Sequence, residues 1–303
     1  MTHIINQTQF PSIQIHCNSS HADAYGGDPT YKSWCYFLFR EPIVNLPNAY
    51  QFLISLNDAE IPVSYYCINS TNNVFTFLFN YTSYSITLNE GNYSAYDVAA
   101  QLTSTNIPLP GDEPPLAFSF STIYDEKSNK MVYKFVCLVG SPATASLTYP
   151  IVISASTSKN PIFGFNGRTD ILADLYIYQG STATLISNMC IDTAGTRCMF
   201  VKCLNVHTQA YDSMTKFSGN ILSRIPINQE PNGIVFWNNA TAFKSKCTLK
   251  SLSMLEIQIV DENNQLVNFN NVDWSLCIQI DVLGNSPSDY MPDNPFMRKD
   301  LNV

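Results

Sequence analysis

LEIQIVDENNQLVNFNNVDWSLCIQI, residues 255–280, decides how this chain is read. Leu255, Ile257 and Ile259 fall on alternate positions, and so do Leu276, Ile278 and Ile280. In an extended chain, residues two apart share a face, so each run predicts a strand with one side buried. The middle is acidic and rich in amides. It reads as the link between paired strands, with Asn268 to Asn271 supplying part of the turn. Trp274 is placed to cap the core as the last strand begins. Nothing in the stretch looks catalytic.

The same alternation recurs along the chain: SIQIHC (12–17), SWCYFLFR (33–40), YQFLISL (50–56), IPVSYYCI (61–68), RCMFVKCLNV (197–206), GNILSRIPI (219–227) and GIVFWN (233–238). A polar cluster, Asn69 to Asn73, marks a boundary. Beyond it the pattern changes. Strands VFTFLF and SYSITL lead into the best helix signal, Ala95 to Ser104, with Ser94 as N-cap and Asp97 three residues on. Val98, Ala99 and Leu102 can share its inner face. NIPLPGDEPPL breaks the helix, FSFSTIYDEKSNKMVYKFVCL reads as a hairpin, and PIVISAS precedes NPIFGF. Many short strands with one helix argue for an all-β sandwich or barrel. The expected organisation is an arm over 1–11, a discontinuous main domain over 12–70 and 183–283, an inserted domain over 71–182 and an extended tail over 284–303.

Charged residues make up only 13% of the 303, against 45% hydrophobic and 13% aromatic. The polar surface must then be mostly Asn, Ser, Thr and Gln, which suits a protein that buries its outside against neighbours. Codon bias in an AT-rich or viral genome gives a similar composition. The net charge of −8, with no dense Lys/Arg cluster, argues against general nucleic-acid coating. The first residues lack a secretory pattern and no run has the length of a membrane span, so a soluble chain made in a reducing compartment is expected. There the nine cysteines act mainly as small buried hydrophobes.

Two signatures coincide. One is ITLNEGNYSAYDVAAQL followed by a hairpin and IFGF; the other is ILSRIPI, GIVFW and the opening stretch. Together, over roughly residues 60–283, they resemble the penton and minor capsid proteins of virophages, polinton-like viruses and related giant DNA viruses, with the virophage penton nearest in length and composition. The positions that carry the resemblance are Gly91 to Ser94, Asp261 to Asn263 and Asp273 to Ser275. The resemblance implies a single jelly roll of eight strands with an inserted β-rich domain projecting outward. It further implies a homopentamer at icosahedral vertices, in contact with the major capsid protein. The inserted block could also bind a host receptor or glycan. Residence in the virion, after synthesis in host cytoplasm or a viral factory, follows from the same resemblance.

Chemical sites fare worse. His16 and Cys17 are adjacent on a predicted strand and face opposite ways, so with His21 they make a poor Zn²⁺ set. On the strand through RCMFVKCLNVH, Cys203 and His207 share a face while Cys198 points away; with Cys190 these read as buried thiols. His207, Asp212 and Ser213 are close in sequence, but no G-x-S-x-G elbow accompanies any histidine (His3, His16, His21, His207), and an enzyme is not expected. Asp58/Glu60, Asp125/Glu126 and Asp261/Glu262 fall at predicted turns, where acids serve turn chemistry before Ca²⁺ or acid–base work. FGFNGRTD lacks the residues of a phosphate loop; Gly164 and Gly167 read as positive-φ turns where the insert rejoins the main domain. Trp237 and WCYFLF read as core, and Tyr81, Tyr84, Tyr93 and Tyr96 as core with a contact surface as the alternative. No catalytic, metal or cofactor site is assigned, and the identity of any ligand-binding residues stays open.

Overall fold

The computed structural model describes residues 8–9, 12–46, 51–79, 82–104, 118–137, 148–167, 175–178, 182–206, 210, 219–247 and 249–284. The chain divides into two compact units, residues 1–65 with 196–303 and residues 66–195.

The first unit begins with β1 (Thr8–Gln9), β2 (Ile13–Asn18), β3 (Ala24–Tyr25), β4 (Trp34–Leu38), β5 (Val44–Asn45) and β6 (Gln51–Pro62). The second holds β7 (Val74–Phe79), β8 (Thr82–Thr87), α1 (Ala95–Ser104), β9 (Phe118–Asp125), β10 (Lys130–Cys137), β11 (Thr148–Ile153), β12 (Leu175–Tyr178) and β13 (Thr182–Ile186). The first unit then resumes with β14 (Cys198–Cys203), β15 (Ile221–Pro226), β16 (Ile234–Asn238), β17 (Ser245–Cys247), β18 (Ser251–Leu252), β19 (Met254–Val260) and β20 (Ser275–Gly284).

The first unit is a jelly roll. One sheet runs β2–β20–β6–β16, with β1 also on β20 and β17 also on β6. The other runs β4–β19–β14–β15, with β3 outside β4. Successive long strands mostly change sheet, which wraps one hydrophobic core. Ile15, Phe52, Ile54, Ile278 and Ile280 from the first sheet meet Phe37, Leu255, Ile257, Ile259, Met199 and Val201 from the second.

The stretch 255–280 folds differently from the expected strand pair. Its two runs, β19 and β20, do not pair; they lie in opposite sheets. Alternation fixes which face is buried, and both runs do bury Leu255, Ile257, Ile259, Leu276, Ile278 and Ile280. It does not choose a hydrogen-bonding partner. The amide-rich link crosses from one sheet to the other, turning through Asn264, Asn270 and Asn271 at positive φ. Asn tolerates that conformation better than most side chains. Trp274, 1% exposed, closes the crossing: its ring meets Phe37 edge-on at 6.2 Å and its Nε1 donates to the Lys32 carbonyl at 2.7 Å.

A second correction concerns residues 50–68. Asp58 and Glu60, expected in a turn between strands over 50–56 and 61–68, lie within one strand, β6, which ends at Pro62; beyond it, up to the bridge at Ile68, residues 63–67 are not strand. Opposite β20, Cys277 pairs with Asp58 and Ile278 with Leu56, which leaves Asn57 as a β-bulge. The extra residue flips the inward phase from Phe52, Ile54 and Leu56 to Ala59, Ile61 and Val63. In sequence that flip is indistinguishable from a turn.

The second unit has its own core between a four-stranded sheet, β12–β11–β7–β8, and a three-stranded sheet, β13–β10–β9. Rings fill it. Phe75 lies 5.0 Å from Tyr133, 5.2 Å from Phe163 and 5.7 Å from Phe120, centroid to centroid. The helix forms as expected, with Val98, Ala99 and Leu102 buried. Ser94 and Asp97 cap it reciprocally: Ser94 N–H donates to Asp97 Oδ2 at 3.0 Å, and Asp97 N–H donates to Ser94 Oγ at 3.3 Å. Aspartate serves where the longer glutamate is usual. The hairpin also forms, β9 against β10 from Phe118↔Cys137 to Asp125↔Lys130.

The unit boundaries fall at 65/66 and 195/196 instead of the expected 71 and 182. Cys67 N–H donates to Asn92 Oδ1, and Ile68 bridges Gly91, which ties residues 66–70 to the second unit. The strand β13 pairs with β10 and draws 182–195 with it. Gly164 and Gly167 do adopt positive φ, 75° and 79°, but lie within this unit instead of at its exit. A Cβ on Gly164 would meet Ser187 Oγ at 2.5 Å.

Candidate functional site

The acids weighed as ion sites are occupied by local duties. Asp261 accepts from the N–H groups of Asn263 (2.9 Å) and Gln265 (2.8 Å), which folds the turn after β19. Asp125 accepts from Lys127 N–H and from Ser128 Oγ at the β9–β10 tip. Those hydrogen bonds, Ser128 first, hold its carboxyl below the usual carboxylate value. Asp58 and Glu60 stand on the outer face of β6, where Glu60 accepts from Ser275 Oγ at 3.1 Å.

Of the thiols expected to be buried, Cys17, Cys198 and Cys203 are packed and Cys190 is not. His16 is exposed and Cys17 buried, as expected for neighbours on a strand. Cys17, Cys35 and Cys203 are each pushed up to about 12 by burial, far from thiolate chemistry at neutral pH. Cys203 sits in the jelly-roll core with Met199 and Val201, and Cys198 is buried without joining that cluster. Cys190 is exposed and belongs to the second unit. His3, His207, Asp212, Ser213 and Tyr81 lie outside the described residues, as do residues 1–7, 10 and 11 of the arm expected over 1–11 and the tail beyond Gly284; Thr8–Gln9 of that arm pairs with β20 as β1. Among the described residues no three His, Cys, Asp or Glu side chains cluster as a metal site. No described helix is long and apolar enough to cross a membrane.

Two ion pairs organise the first unit. Lys32 Nζ meets Asp273 Oδ1 at 2.7 Å, and Ser19 Oγ donates to the same oxygen at 2.7 Å. Burial pushes the Asp273 carboxyl up, but these partners outweigh it and hold it below the ordinary value. This anchors the D-W-S turn beside Trp274. Asp281, 1% exposed on β20, pairs with Lys244 Nζ at 2.6 Å and accepts from Gln279 Nε2 at 2.9 Å and from Ser12 Oγ. Here too burial pushes the carboxyl up while Lys244, Ser12 and Gln279 together pull it lower. A carboxylate with a depressed folded pKa stabilises above its unfolded value near 4, and the contribution is lost as pH falls through the folded one. Lys244→Ala is therefore expected to cost about 2 kcal/mol at pH 7, less than a fully buried pair because Lys244 reaches solvent. Urea titrations at pH 7 and pH 3 check this; the cost is expected to shrink at pH 3.

Several large apolar side chains are exposed. In the first unit, Ile234 (48%), Phe236 (71%) and Val272 (43%) stand out from the surface. Ile234 and Phe236 sit on β16 opposite Pro62 and Glu60 of β6. Ile234 and Val272 line a groove of about 320 Å³ with Asn18, Glu60, Pro62 and Ser275. Sequence reasoning missed this groove because its lining comes from four separated segments. In the second unit, Ile123 and Ile186 are both opposite Val132, forming one apolar row across β9, β10 and β13. Of the tyrosines, Tyr84 and Tyr93 pack partly on the ring core, and Tyr96 is exposed with its ring 4.9 Å from Tyr124. Trp237 is half-buried against the jelly-roll core.

No known family's sequence profile matches the chain. No curated protein matches it by sequence. Among solved structures, the crystal structure of selenomethionine-labelled mavirus penton protein is similar at a TM-score of 0.47 and 10% identity, over 90% of this chain and all of that one.

Proposed function

We propose that this chain is a capsid vertex protein. The observation that carries the reading is a jelly roll with strand order β2–β20–β6–β16 facing β4–β19–β14–β15, into which residues 66–195 are spliced between β6 and β14. Jelly rolls of this kind build viral shells, lectins and cupins. A surface with few charges and exposed Ile234, Phe236 and Val272 suits lateral burial against copies. The Gly91–Ser94 and Asp273–Ser275 signatures, which resemble pentons, both sit at structural anchors: one at the helix cap, the other at the sheet crossing. Five copies close a ring, dock to the major capsid protein and reside in the virion. Light scattering on the purified chain is the test. A particle five times the 33.9 kDa chain mass is expected, and a monomer at tens of micromolar contradicts ring closure.

A second reading, compatible with the first, rests on the row Ile123–Val132–Ile186. An apolar stripe across an open sheet face is a contact surface for a host receptor or glycan. Ile123→Lys with Ile186→Lys is expected to abolish adsorption of particles to cells while leaving assembly intact; unchanged adsorption removes this reading.

A further inference from the structure

The groove beside β16 needs an occupant. Sheet edges left open are normally blunted by charge, proline or a covering segment. Strand β16 reads Ile-Val-Phe-Trp-Asn, pairs on one side with β6, and among the described residues has no strand on the other. Of its exposed side chains Ile234 and Phe236, Ile234 lines the groove, and Val272 lines it with Ile234. The charged groups lining the groove are Glu60 and Asp273. Asp273 is neutralised by Lys32, whereas among the described residues no cation pairs with Glu60. The site thus asks for an apolar segment carrying positive charge.

The chain contains one such segment beyond Gly284: Phe296-Met297-Arg298-Lys299. Its own groove is awkward to reach. From Gly284 back to Ser275, at the groove, β20 runs about 30 Å. The residues from Gly284 to Phe296 span about 40 Å at full extension. An intramolecular return would use about three quarters of that reach in an extended run back across the sheet, past the Lys244–Asp281 pair on β20. A neighbouring copy carries no such constraint. Exchange of a segment into a different surface of the next copy is heterologous, and a heterologous contact closes a ring when its rotation does, whereas β16-to-β16 pairing would give a twofold dimer.

We propose that this groove takes Phe296–Lys299 of a second copy of this chain. Phe296 and Met297 cover Ile234 and Val272, and the basic pair faces Glu60. The inference rests on the ring reading and adds the contact that joins one copy to the next. The test places the photocrosslinker p-benzoylphenylalanine at position 296 of the full chain and mixes unlabelled with ¹⁵N-labelled protein before irradiation. Mixed-isotope crosslinks from 296 to peptides carrying Ile234 or Val272 are expected. Glu60→Lys is expected to lower their yield about fivefold, and adding Arg298→Glu with Lys299→Glu to restore it. Crosslinks confined to single chains, or landing on other surfaces, overturn the proposal. If light scattering gives five copies while crosslinks land elsewhere, the ring stands and this contact falls. A monomer without mixed-isotope crosslinks removes both.

Discussion

Trp274→Ala is expected to cost the jelly roll about 3–5 kcal/mol, the range for removing a large buried aromatic. The indole is 1% exposed, packs edge-on against Phe37, and donates to the Lys32 carbonyl. Truncation opens a cavity where the chain crosses between sheets and orphans a carbonyl acceptor. It also loosens Asp273, whose partners Ser19 and Lys32 belong to the same corner. Hydrogen exchange on the full chain reads the effect locally. Amides of β19, β20 and β4 are expected to lose several hundredfold protection, and unchanged protection there would contradict this placement of Trp274.

The second large effect belongs to Phe75→Ala. Among the described residues, four ring neighbours surround this side chain: Phe77, Phe120, Tyr133 and Phe163, with centroids at 5.0 to 6.0 Å. Leaving that cluster without its centre is expected to cost the second unit about 3–5 kcal/mol from packing alone. Lost ring–ring geometry adds about 1 kcal/mol. Amides of β7, β9 and β10 should lose their protection. Phe75→Leu keeps much of the volume and is expected to recover roughly half of the loss. A leucine variant as damaged as the alanine variant would show that ring geometry, not volume, holds this core.

The strands were legible because one face of each is buried and side chains alternate. Leu255, Ile257 and Ile259 announced β19 without any knowledge of the fold. Partners were not legible, since the same alternation fits a hairpin or a crossing between sheets. The Asn57 bulge hid the continuity of β6 by reversing its phase. Helix α1 was legible down to its cap because Ser94 and Asp97 act within one turn of each other. The groove was not, because Asn18, Glu60, Ile234 and Val272 meet only after folding. A side chain's exposure on an edge strand depends on sheet order, and sheet order is set by contacts between distant segments.

The proposed place of this chain is the capsid vertex. Cryo-electron microscopy of particles assembled with and without it tests this most directly. Fivefold density enclosing five jelly rolls is expected when the chain is present, and its loss when the chain is left out. Intact fivefold density in particles lacking the chain would contradict it.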